Sequence, residues 1–153
     1  MTIDRESFLK ALQDCEPGLA QREIQEQSMS FAFKDGLLHT FNDELACSAP
    51  SPLGDAVTGA VPAAKLLDLL QRMPEEDIAV EATGSEFVVS GKKTGTTRLR
   101  MEAEVLLPID SVDQPGKWLK LPDDFCPAVG TVHKCAGSDE SIFETVCVNV
   151  APD

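Results

Sequence analysis

The chain has 153 residues, of which 42% are hydrophobic and 25% are charged, so it should fold around a real core and is not disordered as a whole. Its formal net charge of −13 argues against broad, nonspecific adhesion to nucleic acid, although a small basic surface could still bind DNA. No apolar run approaches the roughly 18 residues of a membrane span, and the start MTIDRESFLK lacks the apolar core of a secretion signal. We therefore expect a cytoplasmic protein whose five irregularly spaced cysteines are reduced.

The first predicted helix runs from Arg5 to Cys15, and Asp4 is placed to cap it. Its apolar residues follow an i, i+1, i+4, i+7 pattern, which is typical of a helix buried on one side: Phe8, Leu9, Leu12 and Cys15. A short strand, MTID, precedes the helix. Two predicted strands, SMSFAFKDG and LLHTFNDELACSA, follow it and are separated by a Lys-Asp-Gly turn.

The second predicted helix spans residues 62–73 and has Pro62 at its first position, where the missing N–H matters little. The apolar pattern of the first helix recurs here 58 positions later, at Leu66, Leu67, Leu70 and Met73. The strand DAVTGAV precedes this helix, and the strands DIAVEATGS, EFVVSGKKTG and TTRLRMEAE follow it. The order of elements thus occurs twice, in units 1–55 and 56–108. It predicts an α+β domain over residues 1–112 with two helices on one side of antiparallel sheets.

A third, incomplete unit is predicted in residues 113–153, after a Pro/Gly/Asp-rich stretch at residues 110–117. The apolar pattern fits again 59 positions after the second helix, at Phe125, Cys126, Val129 and Val132. Pro127 is expected to kink this helix or to delay its start. One strand, ETVCVNV, follows, and a unit without further strands would leave its sheet unpaired. We therefore expect a fragment, or an unusually short relative, of a longer protein.

This repeated pattern resembles the N-terminal domain of the bacterial beta-type DNA polymerase sliding clamp. The most specific stretch is VPAAKLLDLLQRMPE with the hairpin strands after it, supported by DGLLHTFNDELA. The likeness covers residues 1–110 well and residues 117–150 more weakly, as the start of a second clamp domain. The resemblance implies the DNA-clamp fold, with units of strand, helix and three strands, and a noncatalytic protein without a cofactor. It also implies a homo-oligomeric ring around duplex DNA that serves a DNA polymerase and a clamp loader in the full-length protein.

The resemblance further implies a set of DNA-facing basic residues: Lys10, Arg22, Lys65 and Arg72. Lys65 and Arg72 are seven positions apart and share the side of their helix opposite the leucines. Three aspartates dilute the positive charge, so the isolated chain should bind DNA weakly: Asp14, Asp68 and Asp124. The simpler interpretation is an ordinary solvated face on which Asp68 forms helix-spaced ion pairs.

The sequence disfavours several other chemical sites. In TGSEFVVSGKKTGTT, Gly84 and Gly91 have six residues between them where a P-loop has four, so turns are favoured. Four residues are candidate zinc ligands, but their spacing matches no zinc-site pattern: Cys126, His133, Cys135 and Cys147. A nucleophilic pair of Cys15 or Cys135 with His39 or His133 lacks any sign of an oxyanion site.

Two acidic pairs, Glu75-Glu76 and Asp123-Asp124, lie beside helix ends, where carboxylates are favoured at N-termini or simply solvated. An enzyme is therefore not expected. The competing hypothesis is a binding or regulatory domain that has the clamp architecture, forms no ring and contacts replication proteins through its acidic exterior.

Overall fold

The computed structural model of the chain describes residues 1–111 and 120–135. Predictions that fall on residues 112–119 and 136–153, including the strand ETVCVNV and Cys147, lie outside the described residues. The chain divides into two compact units, Met1–Asp113 and Gln114–Asp153. No helix within the described ranges combines the length and the apolar composition needed to cross a lipid bilayer.

The larger unit contains the same order of elements twice, strand, helix and three strands. The first copy consists of β1 (Thr2–Asp4), α1 (Arg5–Cys15), β2 (Ser30–Lys34), β3 (Leu37–Phe41) and β4 (Ala46–Pro50). The second copy consists of β5 (Gly59–Pro62), α2 (Ala63–Arg72), β6 (Asp77–Thr83), β7 (Glu86–Gly91) and β8 (Gly95–Arg100). The predicted α+β class and the duplicated unit are confirmed.

The helix boundaries follow from local signals. The Asp4 carboxylate accepts the Ser7 N–H at 2.8 Å, which caps α1 where the sequence predicts. Pro62 ends β5 with an extended ψ of 119° and serves as the N-cap of α2, so the helix begins one residue later than predicted. Proline suits this place because it needs no hydrogen-bond partner for an N–H.

Each copy contributes its first strand to the sheet of the other copy. One sheet has the order β1-β6-β7-β8, and the second has the order β4-β3-β2-β5. In the first, Ile3 of β1 is paired with Ile78 of β6; in the second, Ala60 of β5 is paired with Ala32 of β2. All pairs are antiparallel. The sequence predicts the strands but not this exchange.

The stretch LLHTFNDELACSA, predicted as one strand, forms two. The chain reverses at residues 42–45, where the Asn42 side-chain oxygen accepts the N–H groups of Glu44 at 3.2 Å and Leu45 at 2.8 Å. Asp43 has a φ of 72°, a conformation that aspartate and asparagine tolerate better than most residues. The Asn-Asp dipeptide therefore marks a turn.

The apolar faces of both helices pack on the two sheets in one continuous core. Of the two predicted patterns, six residues are buried and Leu9 and Leu67 are partly buried against the same core. The Phe33 ring stacks on Phe87 with centroids 5.9 Å apart, and it lies 6.3 Å from the ring of Phe8. Because Phe8 and Phe33 belong to the first copy and Phe87 to the second, the aromatic cluster joins the copies.

The segment after β8 covers the outer face of the sheet β4-β3-β2-β5. Leu107 is buried there with Ala32 and Ala60. The buried Gln27 amide holds the segment, because its Nε2 donates to the Glu102 carboxylate at 2.9 Å and its Oε1 accepts the Leu106 N–H at 2.8 Å. One face of this sheet therefore packs on the helices, and the other face is covered by the segment after β8.

In the smaller unit, α3 spans Phe125–Val132. Pro127 is its third residue and lies in the first turn, where a backbone N–H would have no partner within the helix. The predicted kink or late start is therefore not observed, and α3 begins at Phe125. The apolar pattern of α3 is exposed or half-buried in the part of the chain that the structure describes.

Candidate nucleic-acid interface

The solvent-exposed side of α1 and α2, called the helix surface below, lies opposite the buried apolar patterns. Its charged side chains are three carboxylates and three basic groups: Glu6, Lys10, Asp14, Lys65, Asp68 and Arg72. The helix surface is thus formally neutral in a chain whose net charge is −13. A neutral face repels a polyanion less than the acidic faces of the same chain do.

Two of the predicted DNA-facing residues form ion pairs on their own helices. Lys10 Nζ lies 3.0 Å from Asp14 Oδ2, and Arg72 Nη2 lies 2.7 Å from Asp68 Oδ1. Both pairs are exposed and have i, i+4 spacing, so each contributes only about 0.3–0.5 kcal/mol. The ion pair that the simpler interpretation assigns to Asp68 is therefore present, but it is weak enough for a phosphate to compete with it.

The other two candidates differ in their location. Lys65 is exposed on the helix surface and has no ion pair with any residue that the structure describes. Arg22 is also exposed, but it lies in the loop between α1 and β2, beside a shallow groove shared with Ile24 and Glu44. The structure thus places Lys10, Lys65 and Arg72 on the helix surface and Arg22 outside it.

Glu75 has a structural role that is not apparent from the sequence. This residue follows α2, and its carboxylate is buried against the β7–β8 turn, so the interpretation of Glu75 as a solvated end carboxylate is wrong. Its oxygens accept the N–H groups of Lys93 and Thr94, each at 2.7 Å, and the Thr94 hydroxyl at 2.7 Å. A Cβ on Gly91 would lie 2.5 Å from Glu75 Oε1, so glycine is needed where the strand passes the carboxylate.

Residues at the same place connect the two helices. Arg5, at the start of α1, donates from Nε to the Glu75 carbonyl at 2.7 Å and from Nη1 to the Leu70 carbonyl at 3.3 Å. The bond to Leu70 occupies a carbonyl that the end of α2 leaves without a partner within the helix, and the bond to Glu75 joins Arg5 to the residues that follow α2. The end of α2, the start of α1 and the β7–β8 turn are therefore held together around Glu75.

The Glu75 contacts should make stability depend on acid pH. The hydrogen bond from the Thr94 hydroxyl, followed by those from the turn N–H groups, lowers the pKa of Glu75 from 4.5 to about 2. Because the folded pKa lies below the unfolded one, the stabilisation is complete above pH 4.5 and is lost as the pH falls toward 2. In urea unfolding, we expect Glu75→Gln to be less stable than wild type by a constant amount above pH 4.5, and this difference should shrink at lower pH.

The exposed neighbour provides the control for this measurement. Glu76→Gln removes the same charge one residue away, where the side chain is exposed, and should give a much smaller difference. A Glu75→Gln difference that stays the same down to pH 3 would contradict the assigned role.

The alternative chemical sites find no support in the part of the chain that the structure describes. Gly84 lies in the β6–β7 turn and Gly91 ends β7, so the glycines belong to a hairpin sheet. Burial raises the pKa of the Cys15 thiol to about 11, which keeps it protonated in the core. Within residues 1–111 and 120–135, no three His, Cys, Asp or Glu side chains are grouped to hold a metal ion.

Comparison with solved structures identifies the fold. The chain is similar to the DNA polymerase III subunit beta of Pseudomonas aeruginosa at 18% identity, over 93% of this chain and 40% of that one, with a TM-score of 0.66. A second P. aeruginosa structure, described as a sliding clamp, matches at 20% identity over 78% and 33% of the two chains, with a TM-score of 0.56. The DNA polymerase III beta subunit of Thermotoga maritima matches at 16% identity over 77% and 32%, with a TM-score of 0.54.

No protein-family model and no curated protein matches the chain. The structural likeness nevertheless shows that the chain has the sliding-clamp fold, which confirms the predicted resemblance at the level of the fold. The chain spans about a third of the length of the solved clamps that it matches.

Proposed function

We propose that this chain acts as part of a noncatalytic DNA sliding clamp, which encircles duplex DNA and tethers the replicative polymerase. The observation that carries the proposal is the formally neutral helix surface of a strongly acidic chain that has the sliding-clamp fold. In a ring of such domains the helix surface would line the central hole, and the acidic exterior would repel stray DNA.

The charges of the helix surface suit a contact that must slide. Lys10, Lys65 and Arg72 are exposed, and the two that are ion-paired can exchange a weak carboxylate contact for a phosphate. Lys and Arg contacts to phosphate carry no sequence information, so they hold the duplex without fixing the position of the ring along it. Arg22 would contact the duplex from the neighbouring loop.

The partners in this proposal belong to the full-length protein. They are duplex DNA, a DNA polymerase, a clamp loader and further copies of the clamp in a cytoplasmic ring. Because this chain spans about a third of the solved clamps, its own contribution would be one helix-lined part of the ring wall. DNA affinity of this chain alone should be weak, since carboxylates balance the basic groups of the helix surface.

Topological retention on DNA tests the proposal. The full-length protein, placed on nicked circular duplex by its clamp loader, should stay bound through gel filtration and should be lost when the circle is cut to a linear form. A contact held by charge alone would be equally stable on both forms. A protein that is monomeric at micromolar concentration by light scattering and shows no preference for circles would contradict the clamp function and favour the domain without a ring.

A further inference from the structure

The two hairpin turns at the ends of the helix layer occupy equivalent places in the repeat but carry opposite charges. In the second copy, the β7–β8 turn contacts Glu75, just after α2, and carries Lys92 and Lys93. In the first copy, the β3–β4 turn contacts the residues that follow α1, because Asn42 Nδ2 donates to the Pro17 carbonyl at 3.3 Å. That turn continues with Asp43 and Glu44. The turn at one end of the helices is therefore basic, and the turn at the other end is acidic.

The backbone of the basic turn is fixed, whereas its lysine side chains are exposed. The Glu75 carboxylate accepts the N–H groups of Lys93 and Thr94, so the acidic group nearest the turn is already hydrogen-bonded to its backbone. Two exposed carboxylates, Glu76 and Asp77, border the same surface groove as the two lysines. Even so, within the described residues Lys92 and Lys93 form no ion pair, in contrast to Lys10 and Arg72.

This turn lies next to the helix surface. Glu75, three residues after Arg72, binds the backbone of the turn and so holds the turn at the C-terminal end of α2. The helix dipole favours positive charge at that end. Three exposed basic residues at this end of the two helices are called the basic corner below: Arg72, Lys92 and Lys93. Lysine suits such a place, because a compact charge on a flexible stem follows a phosphate without demanding one geometry.

We propose that Lys92 and Lys93 bind phosphates of duplex DNA and so extend the contact of the helix surface onto the β7–β8 turn. The inference rests on the proposed function and adds a second contact to it. The duplex is drawn toward the basic corner, whereas at the opposite end Glu44 lies in the same groove as Arg22 and offsets its attraction. Glu75 acts as a positioning residue, because it fixes the turn that carries the two lysines.

The test measures how duplex binding by the chain depends on salt. Fluorescence anisotropy of a labelled duplex of mixed sequence would be followed from about 50 mM to about 200 mM salt for wild type and for Lys92→Ala/Lys93→Ala. The slope of log K against log salt is negative, and each lost phosphate contact makes it shallower by about 0.9. The double substitution should therefore make it shallower by about 2. Alanine retains the backbone N–H that Glu75 binds at position 93.

A matched control separates position from net charge. Arg98→Ala/Arg100→Ala removes the same charge from β8, where both side chains are exposed on the side of the sheet away from the buried Leu99. This variant should keep the wild-type slope. Circular dichroism and thermal melting would show that each variant remains folded.

The outcomes distinguish this inference from the proposed function. A wild-type slope in Lys92→Ala/Lys93→Ala, or an equal loss in the β8 control, would overturn the role of the turn. If Lys65→Ala/Arg72→Ala makes the slope shallower while the turn variant does not, the helix surface binds DNA and only the inference fails. If the wild-type chain shows no salt-dependent duplex binding, the proposed helix contact and the turn contact both fail.

Discussion

Reversing the charges of Lys65 and Arg72 to glutamate in the full-length protein is expected to shorten its retention on circular duplex DNA by roughly tenfold or more, which corresponds to about 1.4 kcal/mol. The change removes two proposed phosphate contacts and replaces them by two repulsive charges. Lys65 is exposed and the Arg72–Asp68 pair is solvated, so the free energy of unfolding should fall by only about 1 kcal/mol. Retention half-times on nicked circles and melting temperatures would be compared with wild type.

The control for this experiment makes the same charge change elsewhere. Arg98→Glu/Arg100→Glu alters the exposed face of β8, where the 3.8 Å contact of Arg98 to Glu86 is lost, and retention should match wild type. Normal retention of the Lys65→Glu/Arg72→Glu ring would remove the helix surface from the DNA-binding function. A large loss of melting temperature would show that the two side chains stabilise the fold.

The second large effect concerns stability. Phe33→Ala is expected to lower the free energy of unfolding by about 3–5 kcal/mol, because the ring is 1% exposed and its removal leaves a cavity between the two copies of the repeat. Phe33 stacks on Phe87 of the second copy and lies beside Phe8 of the first. Both copies should therefore lose stability together and unfold in one transition.

Urea unfolding followed by circular dichroism would give the total loss, and amide hydrogen exchange would compare β3 with β7. The same substitution at Phe41, which is only half-buried, should have a smaller effect, and Phe33→Leu should recover most of the stability. Loss of protection in β3 while β7 stays protected would show that the copies are independent.

The sequence predicts the parts of the fold that depend on neighbours in the chain. The bounds of α1 follow from the Asp4 cap, and the bounds of α2 follow from Pro62 to within one residue. The two apolar patterns identify the buried sides of the helices correctly, because burial of one helix face needs no knowledge of what covers it.

Features that depend on distant pairing are not visible in the sequence. Nothing in a three-residue strand such as β1 shows that it pairs with β6, more than 70 positions away. Gln27 appears as an ordinary loop residue until its bonds to Glu102 and Leu106 are seen. Glu75 resembles a solvated carboxylate because its partners lie 18 and 19 positions further along the chain.

The same limit applies to the proposed site. The outward positions of Lys10, Lys65 and Arg72 follow from helix periodicity alone and agree with the structure. The sequence shows Lys92 and Lys93 only as part of a glycine-rich turn. Their place at the end of the helix layer depends on the contact between that turn and Glu75.

The exchange of β1 and β5 between the two sheets makes each copy of the unit depend on the other. A single strand-helix-three-strand unit leaves one edge of its sheet unfilled and one strand unpaired, and only another copy of itself supplies both. The larger unit therefore resembles an exchanged pair of subunits joined by the short link between β4 and β5. Neither copy completes its sheet without the other, so separating the copies at this link would leave both sheets one strand short.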